Sequence, residues 1–467
     1  MIEFDDLMEI SQRIDKADDG EIGSLYDEVV TLLNKDPTDY RLRYLFGAVS
    51  HRALHNGVAA SVLEPMLRTH GNWGSLRMTY GLVLDALGRY EEAIAQYDAA
   101  ARDKTLGRDM LCANKSSALL KLGRYDDAHR VLVDGIGSRE ASTVHPNIQI
   151  NLAFAKIGIG DLGAGWDLYE AGLNTNHRGR TDFGLPRWNG EHKARVLVYA
   201  EQGLGDEIMY LSMLDQLRDA VDAVAVECDP RLSLLFKRSF PWATVVGSRN
   251  AKGQKDWVNE FAPTHQLAMG SLPKHFRRDI PSFKAHIKTA YLHPELAYRD
   301  MYRALVRRTA GDRAKLPVIG IAWSGGGPAT KMIEREIPLA AFAPLVKRGD
   351  AIFVSLQYRK GAKEEIALSG LNVQHHEFAT GQGASYDHTA GMIAACDRII
   401  ATDTTAVHAA GALGVRTDCL LSDPCMWVHA PWHGDHSAWY SSVRLHRKPK
   451  AMDWTKFINH LTNQKIL

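Results

Sequence analysis

The sequence predicts an array of paired helices followed by two α/β halves, each built on a parallel sheet. Three observations carry that expectation. A helix–turn–helix pattern returns at an offset of 35 residues in the first third of the chain. After a Gly/Pro-rich joint, apolar strand-like runs begin to alternate with helical ones. The alternation then restarts, and each half opens on a strand that breaks into a glycine-bearing loop.

The repeats come first. "LDALGRYEEAIAQYDAA" (84–100) aligns on "LLKLGRYDDAHRVLVDG" (119–135), so Gly88 maps to Gly123, Tyr90 to Tyr125 and Ala93 to Ala128. A weaker copy, "KIGIGDLGAGWDLYEAG" (156–172), brings Gly160, Leu162 and Tyr169 into register after a two-residue slip. A half-match, "NKDPTDYRLRYLFGAVSH", begins near the helix-breaking Asp36-Pro37. Glycine permits the tight turn between helices, and the alanines let paired helices approach closely. These units resemble tetratricopeptide repeats, which stack because none can bury its apolar face alone. The resemblance implies a solenoid over residues 1–175, with a concave surface for a protein partner or an adjacent domain.

The joint is "GLPRWNG" (184–190). Beyond it, "RVLVYA", "AVAVEC" and "ATVVGS" read as strands, with "EIMYLSMLDQLR" and "PRLSLLFKRSF" as helices. They form a first half over 190–295. A basic helical stretch, "ELAYRDMYRALVRRTAGDRAK" (295–315), leads to a second half over 316–467, with strands "PVIGIAW", "AIFVSLQ", "CDRIIATD" and "RTDCLLS". Such alternation predicts parallel strands with crossover helices, hence two Rossmann-like domains. Ligands of such sheets bind beyond the carboxyl ends of the strands, which puts the site in the cleft between the halves.

Composition narrows the function classes. Hydrophobic residues make up 45% and charged residues 24%, as in ordinary globular protein. The net charge of +1 supplies no field to recruit nucleic acid or an anionic membrane, so a nucleic-acid acceptor is disfavoured. The basic stretches "KHFRRDIPSFKAHIK" (274–288) and "RLHRKPK" (444–450) are read as solvated charged faces. Five scattered cysteines without a C-x-x-C argue for reduced thiols rather than disulfides or metal ligands. "MIEFDDLMEI" has no signal-peptide pattern and no uncharged apolar run could span a bilayer. A cytoplasmic protein without a membrane span is expected.

Three stretches bear chemistry. In "AEQGLGDEIMYLS" (200–212) a strand breaks at Gly203 and Gly205 and enters a helix. As a dinucleotide fingerprint it has Ile208 where a third small residue belongs. Glu227, 22 residues after Gly205, fits a ribose-binding acid and keeps a dehydrogenase reading open. Asp206 stands where a phosphate would be repelled. It either caps the helix or serves as a base in the cleft, with the glycines admitting an acceptor. In "IIATDTTAVHAAGALG" (399–414) Asp403 ends a strand and Thr404, Thr405 and Ala406 open a helix. Free amides and two hydroxyls there make a diphosphate cradle. His408 lies one turn on, either as a structural residue or as a ligand contact. In "WSGGGPATKMIEREIPL" (323–339) Lys331 and Arg335 are either surface charges or the cations that neutralise a diphosphate.

Taken in order, "EQGLGDEI", "GIAWSGG…REIPL", "FVSLQ" and "DTTAVHAAGALG" closely resemble bacterial tetratricopeptide-repeat proteins with a C-terminal glycosyltransferase domain. That domain is related to the ADP-heptose:lipopolysaccharide heptosyltransferases and has the GT-B fold of two facing Rossmann-like domains. The match runs from about Trp188 to the end of the chain. It implies inverting, metal-independent transfer from a nucleotide-diphosphate sugar, with no further cofactor. Asp206 falls on the family's "GD" general base, which the helix N-terminus is expected to keep ionised. Asp403 and the Thr404–His408 turn match the donor-phosphate motif, and Ser355-Leu356-Gln357 a segment near the nucleotide. "PATKMIERE" matches the family's Arg-rich loop only loosely, which leaves Lys331 or Arg335 as the phosphate cation. By analogy with flagellin-modifying enzymes the repeats imply a protein acceptor, with a lipid-linked, small-molecule or nucleic-acid acceptor left open. Three other readings stay open: a scaffold with a degenerate catalytic half, a nucleotide-sugar epimerase, and the dehydrogenase.

Overall fold

The structure, a computed structural model, describes residues 4–18, 20–175, 177–179, 181–249, 256–325, 335–357, 359–376, 385–423 and 425–467. The chain divides into two compact units, Met1–Ala155 and Lys156–Leu467.

The first unit is helical: α1 (Phe4–Lys16), α2 (Ile22–Lys35), α3 (Tyr40–Arg52), α4 (Asn56–His70), α5 (Gly74–Ala86), α6 (Tyr90–Ala100), α7 (Arg108–Lys121), α8 (Tyr125–Ile136) and α9 (Pro146–Ile159), within which the division falls. The repeated turn has one geometry. Gly88 has φ +77° and Gly123 φ +66°. The amides just after them, of Arg89 and Arg124, close on the carbonyls of Leu84 and Leu119 at 2.8 and 2.9 Å. This is a left-handed helix end satisfied by a 6→1 bond. The same turn follows α3, where the left-handed residue is Leu54 (φ +63°) and His55 N donates to Ser50 O at 2.8 Å. The sequence hides this repeat because leucine holds the glycine position. Successive repeats also meet at a spacing of 35 or 36 residues. Tyr44 Oη lies 3.1 Å from Thr79 Oγ1, Asn114 Nδ2 3.5 Å from Met78 Sδ, and Asn151 Nδ2 donates to Ser116 Oγ at 3.0 Å. Within a pair, helices pack so closely that a Cβ on Gly81 would come 2.5 Å from the Tyr97 ring.

The second unit opens with the weak third copy, turning at Gly160 (φ +87°) into α10 (Leu162–Tyr169). Trp166 Nε1 on α10 donates to Arg277 O at 2.8 Å. The helical span 1–175 read from the repeats therefore includes a helix that compactness groups with the α/β part.

Two parallel sheets follow. β1 (Arg195–Tyr199), β2 (Ala223–Glu227), β3 (Thr244–Val246) and β4 (His265–Ala268) pair in the order β3-β2-β1-β4. β5 (Val318–Ala322), β6 (Ile352–Ser355), β7 (Val373–Gln374), β8 (Arg398–Thr402), β9 (Thr417–Leu421) and β10 (Val443–Arg447) pair in the order β10-β9-β8-β5-β6-β7. Each central strand is apolar on both faces where helices cover it: Val196, Leu197 and Val198 are fully buried in β1, as are Ile399, Ile400 and Ala401 in β8. The fold is thus helical repeats followed by an α/β unit of GT-B type.

Three strands escaped the sequence reading. β4 and β7 are only four and two residues long. β10 lies in the basic "RLHRKPK" run, which is therefore not a solvated face. It is an edge strand that buries Val443 and Leu445 and exposes Arg444. The 274–288 run likewise buries Arg277, whose Nη1 donates to Gln216 Oε1 at 2.5 Å, and Phe283.

The order of strands also locates the ligand crevice. In the first sheet the chain runs outward from β1 to β3 and then returns to the far side of β1, so the switch point lies between β1 and β4. In the second it lies between β5 and β8. The loops after β1, β5 and β8 carry the three chemistry-bearing motifs, at the positions where open α/β sheets bind ligands.

Candidate functional site

The loop after β1 starts the helix Leu204–Tyr210, with extended Gly203 as its N-cap. Asp206 is its third residue, and its Oδ2 accepts the Gly203 amide at 3.0 Å. The carboxylate thus takes up an amide that a phosphate would need. This loop is a carboxylate mount, not an anion cradle. Asp206 stays partly exposed. Burial by the surrounding protein raises its pKa above the ordinary carboxylate value and outweighs the Gly203 amide and Arg335, which pull it down; Asp403 adds to the rise. The helix end, expected to keep Asp206 ionised, does not pull its pKa below the ordinary value, because desolvation outweighs it. A carboxylate with a raised pKa is the better base.

Neighbouring Glu207 is buried. It binds Arg249 Nη1 (2.6 Å) and the Asp229 amide (2.9 Å), tying the helix to the loops after β3 and β2, and burial pushes its pKa up to about 7. Glu227, the candidate ribose acid, is fully buried and accepts from Ser248 Oγ at 3.0 Å, so it presents nothing to a dinucleotide.

The loop after β8 faces this mount. Gly205 leaves no room for a side chain, since a Cβ there would lie 3.0 Å from His408 Cδ2 and 3.6 Å from Thr405 Oγ1. Its role is close helix packing as much as access to the cleft. Thr404 is the extended N-cap of the helix Thr405–Ala412. Its hydroxyl is buried and has no hydrogen-bond partner among the described residues. Thr405 and Ala406, whose amides begin the helix, are partly exposed. Gly325, after β5, abuts this N-cap: a Cβ would fall 2.3 Å from Thr404 Cγ2.

Behind the N-cap, Asp403 is buried and surrounded by cations and imidazoles. His429 Nε2 donates to Oδ1 at 3.2 Å, His408 Nε2 lies 4.0 Å from the same oxygen, and Arg335 Nε lies 4.0 Å from Oδ2. Burial opposes its charge, yet His429 and Arg335 prevail and hold the carboxyl well below its ordinary value. Asp403 is thus a buried anchor that aims Arg335, not a surface ligand. Burial pushes His408 down to about 4, so the ring is neutral at neutral pH. Its Nδ1 is hydrogen-bonded to Tyr440 Oη at 3.0 Å.

Gln357 is also spent inside the protein. Its Oε1 accepts the amides of Trp323 and Ser324 at 3.2 Å, and its Nε2 donates to Ser324 O (2.7 Å) and Oγ (3.0 Å). It shapes the loop after β5 rather than offering atoms to a nucleotide. Lys331 lies outside the described residues, which leaves Arg335 as the cation whose geometry can be stated. The structure therefore brings together Asp206, Gly205, Asp403, Thr404, Thr405, Ala406, His408 and Arg335. Sequence reasoning missed His429, whose "VHAPWHGDH" context is histidine-rich but lies 26 residues from Asp403. No group of three or more His, Cys, Asp or Glu side chains able to hold a metal ion occurs among the described residues. No helix among them is long and apolar enough to cross a membrane.

The two parts resemble tetratricopeptide-repeat proteins and GT-B heptosyltransferases. A thermophilic TPR protein of Thermus thermophilus is 17% identical and covers 34% of this chain and 84% of its own, with a TM-score of 0.29. The E. coli ADP-heptose lps heptosyltransferase II is 14% identical and covers 58% of this chain and 100% of its own, with a TM-score of 0.39. Among curated proteins, Protein FlbA of Caulobacter vibrioides is 26% identical over 414 residues, 83% of this chain. The chain spans 66% of that relative's length, short of two thirds. No protein-family model matches the chain.

Proposed function

We propose that the chain is an inverting glycosyltransferase that moves a sugar from a nucleotide-diphosphate sugar to an acceptor hydroxyl without a metal, and that the repeats select a protein acceptor. One observation carries this reading: a partly exposed carboxylate of raised basicity lies beside a helix start whose Thr405 and Ala406 are partly exposed and whose N-cap hydroxyl, on Thr404, is buried without a partner among the described residues, where two parallel sheets switch direction. In this reading the donor diphosphate lies on the Thr404 hydroxyl and the first amides of the Thr405 helix, with Arg335 offsetting its charge. Asp206 accepts the proton of the acceptor hydroxyl as that oxygen bonds to C1 of the sugar. The C1–oxygen bond to the diphosphate breaks, and its electron pair leaves with the nucleoside diphosphate, which the helix end and Arg335 stabilise. The four motifs in order support the same chemistry. Five free cysteines accord with a cytoplasmic setting.

The deciding experiment is calorimetry with a panel of nucleoside diphosphates and nucleotide sugars on the wild type and on Thr404→Ala/Thr405→Ala, with and without EDTA. Micromolar binding of one nucleotide, indifferent to EDTA and lost in the variant, is expected. Binding of none would remove the transferase reading and leave a scaffold.

A further inference from the structure

The helical unit carries a second site of its own. The start of α3 and the turn from α4 to α5 enclose an open depression of about 650 Å³, lined by Tyr40, Arg41, Leu67, Arg68, His70 and Trp73 among others. Its aromatic wall is arranged: Tyr40 stacks on His70 with centroids 4.4 Å apart and meets Trp73 edge-on at 6.0 Å. Tyr40 is nonetheless 44% exposed, so an aromatic surface is left open to solvent.

Two details argue that this is more than packing. Trp73 occupies the N-cap of α5, where it makes no side-chain cap, whereas Asp39 at the same place in α3 accepts the Arg41 amide at 2.8 Å. Tryptophan forgoes what Ser, Thr, Asp or Asn would contribute there. The turn is also held in shape: Arg77 Nε donates to Gly71 O, and a Cβ on Gly71 would lie 2.6 Å from Leu67 O.

The charge is one-sided. The lining holds two arginines and a histidine and, among the described residues, no carboxylate. Arg41 is already bound by Asp39, with Nε to Oδ1 at 3.1 Å and Nη2 to Oδ2 at 2.6 Å. Arg68 is exposed and its side chain has no hydrogen bond or ion pair among the described residues. We propose that this depression docks an acidic peptide segment, with an aromatic or aliphatic side chain laid against Tyr40 and Trp73 and a carboxylate on Arg68. Trp, Tyr and Arg are the residues that concentrate binding energy at protein interfaces. A nucleic acid fits less well, because it needs a track of free cations and this rim has one free guanidinium among the described residues. The proposal does not require the transfer chemistry.

The test uses the full chain and a short fluorescein-labelled peptide of alternating Glu and Phe, read by anisotropy. The comparison probes are the same peptide with Lys for Glu and an oligothymidine. Saturable binding of the Glu peptide is expected, weaker at high salt and weakened roughly tenfold by Arg68→Glu and by Tyr40→Ser. Both changed side chains sit at the surface, and unchanged thermal unfolding shows that each variant is folded. Failure of the Glu peptide to bind, equal binding by Arg68→Glu, or equal binding of the Lys peptide or oligothymidine overturns the proposal. Nucleotide binding at the α/β site is a separate measurement, so the two ideas stand or fall apart.

Discussion

Gly205 lies against His408, so closely that a Cβ on the glycine would sit 3.0 Å from the imidazole Cδ2. One residue further along the first helix is Asp206; four residues back along the second is Thr404. The contact brings Asp206, the proposed base, close to the helix that starts at Thr404, the proposed anion cradle. Gly205→Val should force the two helices apart and destabilise the fold by about 1–3 kcal/mol, the usual cost of overpacking. Urea unfolding measures the loss. Nucleotide affinity should fall with it, and a variant of wild-type stability and affinity would show that the contact is not required.

Asp206→Asn separates function from stability. The amide keeps the shape and can still accept from Gly203, so binding of the donor should be nearly unchanged. Turnover should fall by roughly 10²–10⁴ with the base removed. The raised pKa sets the sign of two further effects. As the proposed base, Asp206 must be ionised, so the acid limb of the wild-type rate should lie above where an ordinary aspartate would put it. A folded state that holds a proton more tightly than the unfolded one loses stability as pH rises through the interval between the two pKa values. At neutral pH the Asn variant is therefore expected to unfold at a higher temperature than the wild type. Full activity in the variant would remove Asp206 from the chemistry.

His408 gives the opposite slope. Its folded pKa of about 4 is below the ordinary 6.5, so the unfolded chain binds the extra proton between these values. Stability contributed at this position is complete above pH 6.5 and drains away as pH falls towards 4, by on the order of 3 kcal/mol. His408→Gln, which does not titrate, should flatten the wild type's stability–pH curve in that window. An unchanged curve would show that the ring is not buried neutral.

Leu54 is a repeat-turn residue in the wrong chemistry. At φ +63° and 81% exposed it bears the strain that Gly88 and Gly123 avoid. Leu54→Gly should relieve part of the roughly 1–2 kcal/mol left-handed penalty, less the entropy glycine adds to the unfolded chain. A net gain of roughly 0.5 kcal/mol is expected in the unfolding of the helical part. Loss of stability would mean that the leucine makes contacts worth more than its strain.

That same leucine shows where reading the sequence stopped. The turns at Gly88 and Gly123 were legible because glycine marks a left-handed helix end; the turn at Leu54 has the same geometry and no mark. Seven of the ten described strands stood out as apolar runs, while β4 begins with the polar pair His265-Gln266, β7 has only two residues and β10 interleaves Val443 and Leu445 with arginines and a histidine. Asp206, Thr404 and Arg335 stand out in the sequence because short motifs hold them. Gln357 stands out in the same way, but Ser324 and Trp323 engage its amide, and no local spacing encodes that. His429 was invisible: its partner is 26 residues away, across the gap from β8 to the segment before β10, and no local spacing encodes that approach.

His429 is accordingly the sharpest remaining test of how the site is held. Its ring is fully buried, Nε2 holds Asp403 Oδ1, and Nδ1 has no hydrogen-bond partner among the described residues. Remove the imidazole and Asp403 keeps its charge with only Arg335 and neutral His408 nearby. The carboxylate should then draw Arg335 inward, away from the diphosphate. His429→Leu is expected to cost several kcal/mol of stability, about 3–5 for a broken buried pair, and to weaken nucleotide binding at least roughly tenfold. His429→Gln, whose amide nitrogen can stand where Nε2 stands, should restore most of both. The acid limb of turnover, set by Asp206, should stay where it is in the Gln variant. If Leu and Gln bind nucleotide alike, Asp403 needs no partner at that oxygen and the aim of Arg335 is set elsewhere.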